Sequence, residues 1–154
     1  MTDKAALRAE LHAVLLHAVD TARAAHTSAV AGATHSEAAA ENAKDTRGLE
    51  QSYLARGQAS RVAELEAAAN DVASMQLRAF GAGDPVASSA LVALDDDAGE
   101  RRRYFIAPHG GGTTVAGGVQ VITPLSPLAR ALLGKRAGDV VEFRGRELAI
   151  ASVA

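Results

Sequence analysis

The sequence predicts an α+β protein in two parts, an N-terminal antiparallel α-helical coiled-coil hairpin followed by a small β-rich domain with one short helix. Three observations lead there. Alanine dominates the first half, whereas most of the glycine, all four prolines and the Val/Ile/Phe-rich runs come after about residue 80. Apolar residues recur every three or four positions before that point, and in short or alternating runs after it. A chain of 154 residues has room for two small domains. The division predicted is 1–76 for the hairpin and 77–154 for the β-rich domain.

The first helix is expected from Thr2 to about Ala31, a stretch without Gly or Pro that is rich in strong helix formers. Leu7, Leu11, Val14, Ala18, Ala22, Ala25 and Ala29 would lie on one stripe. Thr2 can cap its start, and Gly32 is a natural stop. A second helix is then announced by Thr34 and Glu37, which have capping-box spacing. It runs without proline to about Met75, with Leu54, Gln58, Val62, Leu65, Ala69 and Val72 as its stripe. A connection of a few residues forces the helices antiparallel, and stripes this narrow suit a coiled-coil seam. Each arm would be about 45 Å long for roughly 30 residues. Gly48 and Gly57 fall inside the second helix, where each costs about 1 kcal/mol relative to alanine; local bending or close packing would rationalise them.

In the second half, apolar runs at Val86–Leu94, Arg103–Ala107, Val119–Ile122, Val140–Phe143 and Glu147–Val153 are each bounded by Gly, Pro or Asp. They predict a mostly antiparallel sheet of about five strands. Between the third and fourth, Ser126 is placed to cap a short helix with Pro127 at its first position. Leu128, Leu132 and Leu133 would be its buried face and Gly134 its end. Asp139 is read as fixing a turn after Gly138.

Charge and composition exclude several function classes. The formal net charge is -2 with a sequence pI near 6.2, and no run of like charge exceeds Asp95–Asp97 or Arg101–Arg103. Direct, non-specific nucleic-acid binding and direct sequence-specific DNA binding are therefore not expected. Cysteine is absent, which removes disulfide frameworks and thiolate metal sites and fits a reducing compartment. Charges at Asp3, Lys4, Arg8, Glu10, Asp20 and Arg23 interrupt residues 1–25, so neither a signal peptide nor a membrane span is expected there. A cytoplasmic protein is the expectation. His109-Gly110-Gly111-Gly112 resembles an oxyanion loop, but no G-x-S-x-G elbow accompanies it, which leaves a hairpin loop. Glu37, Glu41 and Asp45 are spaced by four, which would put them on one helical face near the start of the second helix. There they would complement the helix dipole or serve as carboxylate ligands. His35 beside them is read as simply polar. Lys44, Arg47 and Arg56 would meet a partner or pair along the helix with Glu41 and Glu50.

The stretch Val121-Ile122-Thr123-Pro124-Leu125-Ser126-Pro127-Leu128-Ala129-Arg130-Ala131-Leu132-Leu133-Gly134-Lys135, with Gly138-Asp139-Val140-Val141 after it, resembles the C-terminal domain of the GreA/GreB transcription elongation factors. In that family an FKBP-like domain follows an antiparallel coiled coil, the same order as here. The resemblance implies a factor that binds RNA polymerase at its secondary channel. Acidic residues at the hairpin tip would then help hold the polymerase's second Mg²⁺ and a water, so that the polymerase cleaves backtracked RNA. On this reading Glu41 and Asp45, with Glu37 in reserve, are the tip acids and Mg²⁺ ligands. Ser126, Pro127, Arg130 and Lys135 are the polymerase contacts. The chain would have no cofactor of its own and would not itself be an enzyme. It departs from the family at the tip: aligning Glu41-Asn42 with the family's Glu-Asn puts Ala38 in place of its aspartate, and aligning through Arg61-Val62 puts Lys44 in place of the second acid. The resemblance therefore also admits a secondary-channel competitor that does not stimulate cleavage. An FKBP-like prolyl isomerase or chaperone is a third reading, weakened because three Phe, two Tyr and no Trp make an aromatic proline pocket hard to assemble.

Overall fold

A computed structural model describes residues 2–38 and 46–154. Helix α1 (Lys4–Ala38) and helix α2 (Arg47–Ser74) precede six strands: β1 (Leu91–Asp96), β2 (Arg101–Ile106), β3 (Thr114–Val115), β4 (Val119–Ile122), β5 (Val140–Phe143) and β6 (Arg146–Val153). Helix α3 (Pro127–Leu132) lies between β4 and β5. Two compact units result, Met1–His12 with Asn70–Ala154, and Ala13–Ala69.

In the helical unit, Val19 and Ala22 pack with Leu65. His26 Nδ1 lies 3.0 Å from the Ala55 carbonyl oxygen, and a Cβ built at Gly32 meets the Gln51 side chain. Residue numbers thus fall along α2 as they rise along α1, and the two helices run antiparallel. Buried or half-buried positions on α1 include Leu15, Val19, Ala22, His26, Ala29 and Ala33; on α2 they include Gly48, Gln51, Ala55, Gln58, Val62, Leu65 and Ala69. Steps of four and three alternate on both, the 3.5-residue repeat of a coiled-coil seam. Arg23 and Glu66 add an exposed ion pair across it.

Several expectations are corrected here. The expected α1 stripe had Val14 and Ala25 inward, but both are exposed while Leu15 and Val19 are buried. Apolar residues at 14, 15 and 16 make two phases of the period almost equally good. Leu54 is likewise 49% exposed, and Ala55 takes its seam position. Gly32 does not end α1, which continues to Ala38. A helical glycine costs only about 1 kcal/mol, and its missing Cβ admits Gln51 Oε1, which would lie 3.0 Å from it. Thr34 and Glu37 therefore sit inside α1 rather than capping α2. Nor does Thr2 cap α1: the Asp3 carboxylate accepts the Ala5 N–H at 2.8 Å, and Thr2 Oγ1 is instead 2.7 Å from Arg103 Nη1.

The other unit centres on a sheet of order β3-β4-β2-β1-β6-β5, antiparallel except for β2 against β4. The sixth strand, β3, is only two residues long, too short for any periodic signal. The apolar run at 86–90 is not strand: Val86 exchanges backbone hydrogen bonds with Gly134 and Lys135, and Ser89 adopts φ 67°. On one face of the sheet Val92, Leu94, Tyr104, Ile106, Ile122 and Ile150 pack with Leu128, Ala129 and Leu132 of α3. Leu91, Phe105 and Val121 alternate with these and are buried on the opposite face. The same compact unit contains the first turns of α1 and the last turn of α2, whose Leu7, Leu11 and Val72 are fully buried. Polar ties join these parts. Glu10 Oε2 accepts from Ala116 N at 2.8 Å, Arg8 Nη1 donates to the Met75 carbonyl at 3.0 Å, and His109 Nε2 is 2.7 Å from Asp71 Oδ2.

Candidate functional site

Two hairpins and α3 build one open cleft on the α3 face of the sheet. The β1–β2 turn is fixed by Asp96, whose Oδ1 accepts from Ala98 N at 3.0 Å and Glu100 N at 2.8 Å. The β5–β6 turn uses Arg144 and Gly145, both at positive φ (53° and 74°), the signature of a tight two-residue hairpin. Helix α3 begins where sequence reasoning placed it. Ser126 Oγ accepts from Ala129 N at 3.2 Å and Pro127 occupies the first turn. Because α3 has six residues, it covers only part of the face. The remainder is a cleft of about 670 Å³ lined by Leu94, Tyr104, Leu128, Phe143 and Leu148, with Ser126 and Pro127 at its α3 end.

Arginines ring this apolar floor. Arg102 pairs with Glu100 at 3.2 Å, and this carboxylate raises its pKa. The Arg144 guanidinium lies 5.1 Å from the centre of the Phe143 ring. Arg101 makes a bidentate contact with Asp95 at 2.7 and 2.8 Å and holds that carboxyl below its ordinary range. Arg103 is engaged by Thr2 and the Gly117 carbonyl. The Arg101–Arg103 run is thus spent on internal partners, in keeping with a strand start rather than a phosphate site.

The sequence-derived candidates divide. Ser126 and Pro127 reach the cleft, whereas Arg130 and Lys135 are exposed outside its lining. The Lys135 carbonyl accepts from Val86 N at 2.7 Å, tying the loop after α3 to the β1 approach. Glu37 belongs to the last turn of α1 rather than to the start of α2. Glu41 and Asp45 lie outside the described residues. Among the described residues, no group of three or more His, Cys, Asp or Glu is placed to hold a metal ion. No helix among them is long and apolar enough to cross a membrane.

Leu94, Tyr104, Phe143 and Leu148 escaped sequence reasoning because an open cleft and a closed core impose the same alternation on a strand. Among the described residues, Tyr104 and Phe143 are the aromatic residues of the cleft lining. The Ser126 cap gives a direct prediction. Ser126→Ala is expected to lower stability by about 1 kcal/mol, read as a fall in urea midpoint with unchanged m; an unmoved midpoint would show that Pro127 alone suffices to start α3.

Residues 82–153 match the family model described as the transcription elongation factor GreA/GreB C-terminal domain. No curated protein matches the chain. Among solved structures, the chain is similar to GreA factor homolog 1 (Gfh1) of Thermus thermophilus, with 18% identity, coverage of 93% of this chain and 94% of that one, and a TM-score of 0.41. It is also similar to Gfh1 of Thermus aquaticus, with 22% identity, 90% of each chain covered and a TM-score of 0.40. Residues 82–153 thus carry a GreA/GreB C-terminal domain, with two long helices ahead of it in the chain.

Proposed function

We propose that this chain is an accessory factor of RNA polymerase. Its sheet domain docks on the enzyme through the Leu94–Tyr104–Phe143 cleft and the adjoining Ser126 and Pro127, and its antiparallel helix pair enters the secondary channel. The observation that carries this reading is the GreA/GreB domain at residues 82–153 following a slender coiled coil whose α1 and α2 meet along an alanine-rich seam. Arg130 and Lys135, exposed beside α3, are available to acidic groups of the polymerase. At the connection between α1 and α2, Glu41 and Asp45, with Glu37 beside them, are the carboxylates proposed to complete the polymerase's Mg²⁺ site. Hard oxygen ligands of this kind hold Mg²⁺, and the ion supplies charge stabilisation and an activated water for phosphodiester hydrolysis. The factor contributes position and carboxylates, while bond cleavage belongs to the polymerase.

A second reading has its own support. Glu37 lies on α1, and either alignment of the tip leaves Ala38 or Lys44 where the family has an acid. A competitor occupying the channel without stimulating cleavage fits those substitutions. A transcript-shortening assay on stalled, backtracked elongation complexes separates the two. Stimulation by the wild type that falls at least about tenfold in Glu41→Ala or Asp45→Ala, as expected when a metal site loses a supporting group, supports the cleavage factor. Polymerase binding with repression and no shortening selects the competitor. Failure to bind polymerase at all sinks both.

A further inference from the structure

The cleft on the α3 face carries charge that its apolar floor does not explain. Two of its lining residues, Arg144 and Arg146, belong to the β5–β6 hairpin and are exposed. Among the described residues neither has a carboxylate partner. The acids of the lining stand at the β1–β2 turn and are engaged there: Glu100 pairs with Arg102, and Asp96 Oδ1 accepts from Ala98 N and Glu100 N. Arg144 is also held in a conformation that arginine disfavours. At φ 53° it lies in the left-handed region, where a two-residue turn of this kind favours Asn-Gly or Asp-Gly. A longer side chain there is strained. Stability alone would place asparagine at 144, and strain held at the mouth of a cleft points to a role in that cleft.

The floor beside these cations narrows the ligand. Phe143 and Leu148 are half-buried and lie among the covered Leu94 and Leu128. The strands beneath spend their backbone N–H and C=O groups on one another within the sheet, so this face offers few partners to the polar backbone of a peptide. A nucleotide base finds no free ring to stack on, since Tyr104 is 9% exposed and Phe143 carries the Arg144 guanidinium. Setting Asp96 and Glu100 against Arg102, Arg144 and Arg146 leaves one positive charge in surplus, which suits a monoanion better than a phosphate dianion. An apolar chain ending in one carboxylate meets all of these conditions, and the guanidinium fork matches a carboxylate in shape. The volume of about 670 Å³ is that of a small-ligand site. We infer that the cleft binds a small amphipathic carboxylate of the fatty-acid class, its chain against Phe143 and Leu148 and its head group facing Arg144 and Arg146. That such a ligand would compete with RNA polymerase for the cleft rests on the function proposed above; the site itself does not.

The test titrates the full chain with decanoate below its micellar range, followed by calorimetry and by the backbone amide NMR signals of the β5–β6 hairpin. Saturable binding that shifts those signals is expected. Affinity should fall about two- to fourfold for each methylene removed from the ligand, for half to full burial of the chain. Arg144→Gln and Arg146→Gln should each weaken decanoate about two- to fivefold, the contribution of one solvent-facing charge pair, and leave decanol binding unmoved. Arg144→Asn discriminates best. It should raise Tm by about 2–8 °C through relief of the turn and yet weaken decanoate as Arg144→Gln does, a combination that an arginine serving only the turn cannot produce. No saturable binding, equal affinity for decanol, or affinity unmoved by either arginine substitution overturns the inference, as does an oligoglutamate peptide binding as tightly as decanoate. Retention of polymerase by the immobilised chain is measured with and without decanoate. If polymerase is retained while the decanoate titration is flat, only this inference falls. If decanoate binds as expected and polymerase is never retained, only the proposed function falls.

Discussion

Replacing Phe105 by alanine is expected to lower the unfolding free energy by about 3–5 kcal/mol, the range for truncating a buried aromatic side chain. Phe105 is the largest side chain among those fully buried. It sits on β2, opposite Leu91 of β1 and alongside Val121 of parallel β4. With hydrogen-bonded strands on both sides, the backbone cannot close in on the void, so the lining atoms lose their contacts outright. Domains of this size have only about 5–15 kcal/mol of stability, so the variant should unfold at a much lower urea concentration. Phe143→Ala supplies the contrast. That ring is half-buried at the cleft, and its loss should move the midpoint far less. Similar midpoints for the two variants would show that the Phe105 face collapses around its cavity.

Gly110→Ala should be the next most damaging change, at about 2–5 kcal/mol from left-handed strain and overpacking together. Gly110 has φ 83°, and a Cβ there would lie 2.5 Å from Leu11 Cδ1. Although a leucine terminus is ordinarily free to move, Leu11 is 0% exposed and has nowhere to go. Gly112, at φ 90° with nothing within 4 Å of its added Cβ, isolates the backbone part. Gly112→Ala should therefore cost only the strain, about 1–2 kcal/mol. The excess at Gly110 should shrink when Leu11 is also changed to alanine, with a coupling of about 0.5–3 kcal/mol in the double-mutant cycle. Additive losses would mean that the loop, rather than Leu11, absorbs the extra methyl.

What could be read from the sequence follows from how local each signal is. Helix α3 was legible to the residue because Ser126 and Pro127 encode its start chemically, through a side-chain acceptor and a fixed φ. Asp139 was likewise legible, its Oδ2 accepting from Arg136 N at 2.8 Å across the turn. Strands β4 and β5 begin and end where alternation put them. Other features depend on contacts between residues far apart in the chain. Gly32 reads as a stop until Gln51 is seen beside it. The phase of α1 could not be chosen while Val14, Leu15 and Leu16 were all apolar. Val86 reads as strand, but its partners are Gly134 and Lys135, brought there by α3. The cleft was hidden most completely. Leu94 and Leu148 lining the cleft look no different in sequence from Val92 and Ile150 beneath α3.

The compact unit holding the sheet draws on two separate pieces of chain, Met1–His12 and Asn70–Ala154. Its buried Leu7 and Leu11 come from the first of these pieces and Phe105 from the second. No single incision can release this body intact, since a fragment beginning at the first strand would lack Leu7, Leu11 and Val72. The coiled coil from Ala13 to Ala69 is instead an insertion within it. Dissection should proceed by excision, removing the intervening helices and rejoining His12 to Asn70 through a short flexible bridge.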